Sequence, residues 1–128
     1  MPTASPNKVA LDTNFLLWSV RQKVNACAEI RKLLGKVEFV VPGQVQGELE
    51  LLKKEGKTMA KWVKLAEEEM RANRVSVAQV AAENADEALF KLAVEGCFVA
   101  TNDRALKERL KERVIFIRQN KLIEANGV

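Results

Sequence analysis

Short apolar runs alternate with longer stretches of helical periodicity along this chain. Lys8 to Leu11 reads as a strand buried on both faces, and Thr13 or Asn14 is placed to cap the helix that follows through Phe15, Leu16 and Val20. Asn25 is a second cap, for a helix to Leu34 that Gly35 stops. Val37 to Val41 predicts the second strand, and Pro42 suits the first turn of a helix ending near Gly56. Thr58 is positioned to cap a helix through about Asn73, and Val75 to Val77 is a short strand. Asn84, with Glu87 three residues on, makes a capping-box-like start for a helix to Glu95, closed by Gly96. Cys97 to Ala100 then reads as a strand, Asn102 to Glu112 as a helix and Val114 to Ile117 as a last strand. About five strands alternating with helices define an α/β chain. The expected fold is a three-layer α/β/α sandwich around a central, mainly parallel sheet with right-handed crossovers.

Composition narrows the chemistry. A chain of 128 residues fits one domain. Residues 1–7 are expected to be a loose N-terminal tail, 8–124 the folded body and 125–128 a C-terminal tail. No apolar stretch reaches the roughly 20 residues that span a bilayer, so no membrane association is expected. Cys27 and Cys97 are too few and too far apart for a disulfide framework, which predicts free thiols in a reducing cytoplasm. The chain has no histidine. That removes Ser-His-Asp and Cys-His nucleophiles, histidine acid–base ribonuclease chemistry and H-E-x-x-H zinc sites. Catalysis is left to carboxylates, lysines, hydroxyls or a metal. The net charge of +4 suits a polyanionic partner without requiring one.

Four carboxylates stand where a carboxylate is out of place. Asp12 ends the run Val9-Ala10-Leu11, and Asp103 closely follows Phe98-Val99-Ala100. Both then lie beyond the carboxyl ends of strands, where open α/β sheets bind ligands. Either one alone reads equally as a helix-capping Asp. Glu48 falls inside the helical arc filled by Val45, Leu49, Leu51 and Leu52, and a buried carboxylate needs a partner, which a lysine or arginine also supplies. Asp86 opens a helix, where an acid is electrostatically favoured. Brought together, the four repel one another: at about 4 Å, two such charges cost roughly 4 kcal/mol at an effective dielectric of 20. A cation must then sit among them, and hard oxygen donors select Mg²⁺ or Mn²⁺.

These segments also carry a family resemblance. Val9-Ala10-Leu11-Asp12-Thr13-Asn14-Phe15-Leu16-Leu17 resembles the opening motif of PIN-domain nucleases. Val41-Pro42-Gly43-Gln44-Val45 leading to Glu48-Leu49 is similar to their second motif, and Ala85-Asp86-Glu87-Ala88-Leu89 to their third. Val99-Ala100-Thr101-Asn102-Asp103-Arg104 resembles the fourth, so the likeness runs in order from Lys8 to Glu124. It implies that Asp12, Glu48, Asp86 and Asp103 hold Mg²⁺ or Mn²⁺, with Asn14 and Thr101 ordering them. It implies endonucleolytic hydrolysis of RNA leaving 5′-phosphate and 3′-hydroxyl ends, and a homodimer as the default assembly. The ending Ile117-Arg118-Gln119-Asn120-Lys121 resembles the archaeal branch related to ribosomal-RNA-processing nucleases, while the toxin branch of toxin–antitoxin pairs shares the same acids. The corresponding partners are a ribosome-biogenesis factor or an antitoxin.

Candidate phosphate contacts are Arg104, then Arg21 and Lys23, then Arg118 and Lys121. Lys53, Lys54, Lys57, Lys61 and Lys64 form a denser group that either tracks an RNA backbone or pairs with nearby glutamates. Aromatic residues are scarce and no base-stacking platform is evident; Trp18 reads as core and Trp62 as packing or a dimer contact. A receiver-type phosphoacceptor lacks its acidic pair here, and a haloacid-dehalogenase-type site lacks its second Asp, at the position of Asn14. The rival of another class is a catalytically silent RNA-binding or protein-docking module of an RNA-processing assembly.

Overall fold

The computed structural model describes residues 6–118 and 122–126. Its elements run β1 (Asn7–Leu11), α1 (Thr13–Arg21), α2 (Ala26–Leu34), β2 (Val37–Pro42) and α3 (Gly43–Leu52), which tightens into a 3₁₀ turn at Lys53–Glu55. They continue α4 (Lys57–Ala72), β3 (Ser76–Ala78), α5 (Ala85–Val94), β4 (Phe98–Ala100), α6 (Arg104–Leu110), β5 (Val114–Arg118) and β6 (Leu122–Ala125). The sheet order is β3-β2-β1-β4-β5-β6. Every neighbouring pair is parallel except β5 and β6, where Phe116 faces Glu124 in antiparallel register. The expected α/β/α sandwich is present, with six strands in place of five.

Strand alternation builds the two outer layers, since successive side chains leave opposite faces of a sheet. Val9 and Leu11 of β1 face Phe15, Ile30 and Val63 of α1, α2 and α4 in the larger core. Ala10 and Val99 face the other way, onto Leu89 and Leu92 of α5 and Leu106 of α6. Each such fully buried large side chain contributes roughly 1.5–3 kcal/mol.

Several helix starts differ from expectation. The residue capping α1 is Asp12, not Thr13 or Asn14, and its side chain makes no capping hydrogen bond. Gly56, at φ 134°, precedes α4 in place of Thr58, a backbone conformation that a side chain would strain. Asn25 and Asn84 do cap, accepting from the N–H groups of Ala28 (3.2 Å) and Glu87 (2.9 Å). The Glu87 carboxylate turns to Arg109 on α6, at 2.6 and 3.2 Å, and so ties α5 to α6. α6 starts at Arg104 and has Asp103 as its cap. The apolar arc on α3 is narrower than its sequence suggests: Val45 and Leu49 are buried, but Leu51 is 65% exposed. Among the described residues, no helix is long and apolar enough to cross a membrane.

Candidate active site

Because β1, β2, β3 and β4 are parallel, the helices after them all start at one edge of the sheet. Asp12 and Asp103 precede α1 and α6, Asp86 sits in the first turn of α5, and Glu48 lies in the second turn of α3. The positive ends of three helix dipoles thus face carboxylates. A cavity of about 430 Å³ opens at this edge, walled by Asp12, Asn14, Glu48, Glu55, Asp86 and Asp103, with Thr13, Leu51 and Leu52 between them. Five carboxylates line it, and no lysine or arginine does among the described residues.

Neutral donors hold the acids in place. The buried Thr101 hydroxyl donates to Asp12 Oδ2 at 2.7 Å and accepts from the Asp103 N–H at 3.0 Å, so one side chain links the acids that follow β1 and β4. The Asp12 N–H donates to the Ala100 carbonyl at 3.0 Å, closing the same junction. Thr13 Oγ1 donates to Glu48 Oε1 at 2.6 Å, and Asp103 Oδ1 accepts from the Leu106 N–H at 2.8 Å. Asp12 is only 4% exposed. Burial pushes its carboxyl up from 3.8 to about 6; the Thr101 hydroxyl and the Thr13 N–H work against that rise, and the charges of Glu48 and Asp86 add to it.

All four expected acids therefore wall one cavity, with Asn14 beside them and Thr101 directly behind Asp12. They do not converge: among the described residues no three carboxylates stand close enough to grip one ion. Three of the four are tied to separate local partners, which holds them around the rim. Glu48 is exposed to the cavity, not buried in an apolar stripe, and its partner is a neutral threonine, not a cation. Thr13, expected only as a cap, orders Glu48. Glu55 was not singled out by sequence reading. It stands seven residues after Glu48, two helical turns along the same face, and that spacing was the available signal.

The basic candidates scatter. Arg104 is 90% exposed and reaches Glu108 on its own helix at 3.6 Å. Arg21 extends to the Met59 sulfur at 3.8 Å beside the acidic cavity, whereas Lys23 lines a different cavity with Trp62 and Glu69. The Arg118 side chain and Lys121 lie outside the described residues. Lys53 is engaged by Glu50 and Glu67. Trp18, expected in the core, is half-buried and lines a cavity adjoining the acidic one.

Fold and site together define a class, an α/β domain with a carboxylate-walled cavity at the strand ends. Residues 9–120 match the family model described as a PIN-like domain, and the chain belongs to the PIN-domain nuclease family. It is 35% identical to Ribonuclease VapC4 of Methanocaldococcus jannaschii over 130 residues, covering 94% of this chain and 98% of that protein. Among solved structures it is similar to the PIN domain endonuclease Utp24, with a TM-score of 0.71 and 21% identity over 94% of this chain and 96% of that one. It is also similar to a domain of a functionally unknown protein from Methanocaldococcus jannaschii, with a TM-score of 0.58 and 18% identity over 95% and 98% of the two chains. These structural likenesses speak for the shared fold.

Proposed function

We propose that this PIN-domain protein is a metal-dependent endoribonuclease that hydrolyses RNA phosphodiester bonds at the acid-walled cavity. The observation that carries the reading is the wall itself: five carboxylates on one cavity, with no lysine or arginine among the described lining residues. Such a donor set fits a hard divalent cation, Mg²⁺ or Mn²⁺. Full-length similarity to a protein named a ribonuclease supports RNA as substrate.

Asp12 and Asp103 would be the principal ligands, and Glu48 and Asp86, which stand apart around the rim, would reach the ion through water. When bound, the metal supplies an activated water and neutralises charge on the phosphoryl oxygens. Thr101 fixes Asp12 through Oδ2, and the Leu106 N–H holds Asp103 through Oδ1. Thr13 restrains Glu48 in the same way. Asn14, at the cavity wall, is placed to orient water or phosphate by its amide. Asp12 must be ionised to ligate, so Mn²⁺ affinity should rise with pH up to about 6 and level off above it.

The test pairs Mn²⁺ titration by calorimetry with an RNA cleavage assay. Wild type should bind Mn²⁺ saturably and cut RNA only when it is present. Asp103→Asn should lose both while still binding RNA. Intact RNA after incubation of a folded, metal-loaded wild type with a broad panel of cellular RNAs would favour the silent binding module. The RNA that is cut identifies the cytoplasmic partner: ribosomal precursors point to a biogenesis factor, general cellular RNAs to an antitoxin.

A further inference from the structure

We infer that the cavity beside the acidic one is a nucleobase subsite, which takes an unpaired base next to the bond that is cut. The inference rests on the ribonuclease reading above and deepens it. This second cavity has a volume of about 440 Å³, in the range of small-ligand pockets, and shares Asn14 and Leu52 with the acidic one. The two thus adjoin across Asn14 and Leu52.

Its walls have the opposite character. Trp18 lies one helical turn beyond Asn14 on α1, and Arg21 almost one further turn along the same face. From Asn14 to Arg21 the helix rises about 10 Å, so the stripe leads from the acids to a guanidinium. Met59 faces this stripe from α4, close enough for its sulfur to meet Arg21. No carboxylate lines this cavity among the described residues. A half-buried indole and a thioether on one lining offer apolar surface for a flat ring, and the Gln22 amide offers a donor and an acceptor for its edge. Arg21, at the far end, meets the next phosphate. A base paired within a duplex presents neither face and cannot enter, so the subsite selects single-stranded RNA.

The experiment uses the Trp62→Phe protein, in which Trp18 is the sole indole, in metal-free buffer so that no cleavage intervenes. A single-stranded heptaribonucleotide should quench Trp18 emission saturably, and the same sequence as a blunt duplex should not. In the wild-type background, Trp18→Ala should weaken oligonucleotide affinity on the order of tenfold to a hundredfold, Trp18→Phe should recover most of it, and Mn²⁺ affinity should stay unchanged in both. Equal quenching by strand and duplex, or unchanged affinity in Trp18→Ala, would overturn the subsite. If no oligonucleotide moves the emission, the inference also fails. The two readings separate cleanly. Quenching in Trp62→Phe with no cleavage by wild type keeps the subsite and loses the nuclease, whereas Trp18→Ala with unaltered affinity and cleavage does the reverse.

Discussion

Glu48 and Glu50 stand two residues apart on α3 and have opposite electrostatic surroundings. Glu50 looks outward and meets Lys53 at 3.1 Å, while the same lysine reaches Glu67 on α4 at 2.8 Å. Glu48 looks into the cavity, where its partner is the hydroxyl of Thr13 and its neighbours across the space are other acids. On the outer flank the two carboxylates share the Lys53 ammonium, an exposed pairing that contributes little to stability. At the cavity, neutral donors fix geometry without cancelling charge. The difference separates a carboxylate that ends in an ion pair from one that remains able to bind something.

Substitutions can widen or erase that contrast, and the largest effect belongs to the ligands. Asp12→Asn or Asp103→Asn should lower the single-turnover cleavage rate on the order of 10²–10³-fold, while Glu50→Gln leaves it unchanged. A comparable loss from Glu50→Gln would dissolve the distinction between the two sides of α3.

The next effect runs in the opposite direction, on stability. Asp12 has a folded-state pKa raised from 3.8 to about 6, so the native state holds its proton more tightly than the unfolded chain does. Stability from this group is full below about pH 3.8 and is lost as pH rises through about 6. The loss at neutral pH amounts to roughly 3 kcal/mol. Asn at this position keeps an acceptor for Thr101 and never ionises. Metal-free Asp12→Asn should therefore be more stable than wild type by up to roughly 3 kcal/mol at pH 7.5, and the gap should close toward pH 4. Urea melts at three pH values measure this, and a pH-independent difference would remove burial of charge as its cause.

Smaller effects follow from the hydroxyls. Thr101→Val should weaken Mn²⁺ binding about 10–100-fold by calorimetry, because the Asp12 carboxylate loses its anchor. Thr13→Val should act in the same direction through Glu48, toward the lower end of that range. Smallest of all, Glu50→Gln should change unfolding free energy by less than about 1 kcal/mol, as expected for an exposed pair.

The parts legible in the sequence were those with a strong period or a hard rule behind them. Val9–Leu11 of β1 and Phe98–Ala100 of β4 are uninterrupted apolar runs that must be buried on both faces, so the acids following them had to lie at a strand end. β6 was missed because Leu122–Ala125 neither alternates nor forms an unbroken apolar run, and its pairing is set by β5. Leu51 was misjudged because a helical wheel assumes that apolar residues face protein, whereas this one faces a cavity. Trp18 failed for a similar reason. Set beside Phe15, Leu16 and Leu17 it reads as core, and only the neighbouring Leu52 and Met59 show that its side opens to a pocket. Apart from the motif resemblance that pointed to Thr101, the threonines carry no pattern, since a hydroxyl's role depends on what the fold sets within 3 Å of it.

The two cysteines occupy opposite sides of the sheet. Cys27 belongs to the layer of α1, α2 and α4, and Cys97 to the thinner layer of α5 and α6. Both thiols are buried, and burial pushes Cys27 up to about 12 and raises Cys97 as well, so neither offers a reactive thiolate while the fold is closed. Thiol-modifying reagents should therefore time the opening of each layer separately, as two clocks in one molecule. Matching rates mean that the sheet opens as a unit. A faster Cys97 means that the half carrying Asp86 and Asp103 loosens first, while Asp12 still sits on a closed floor.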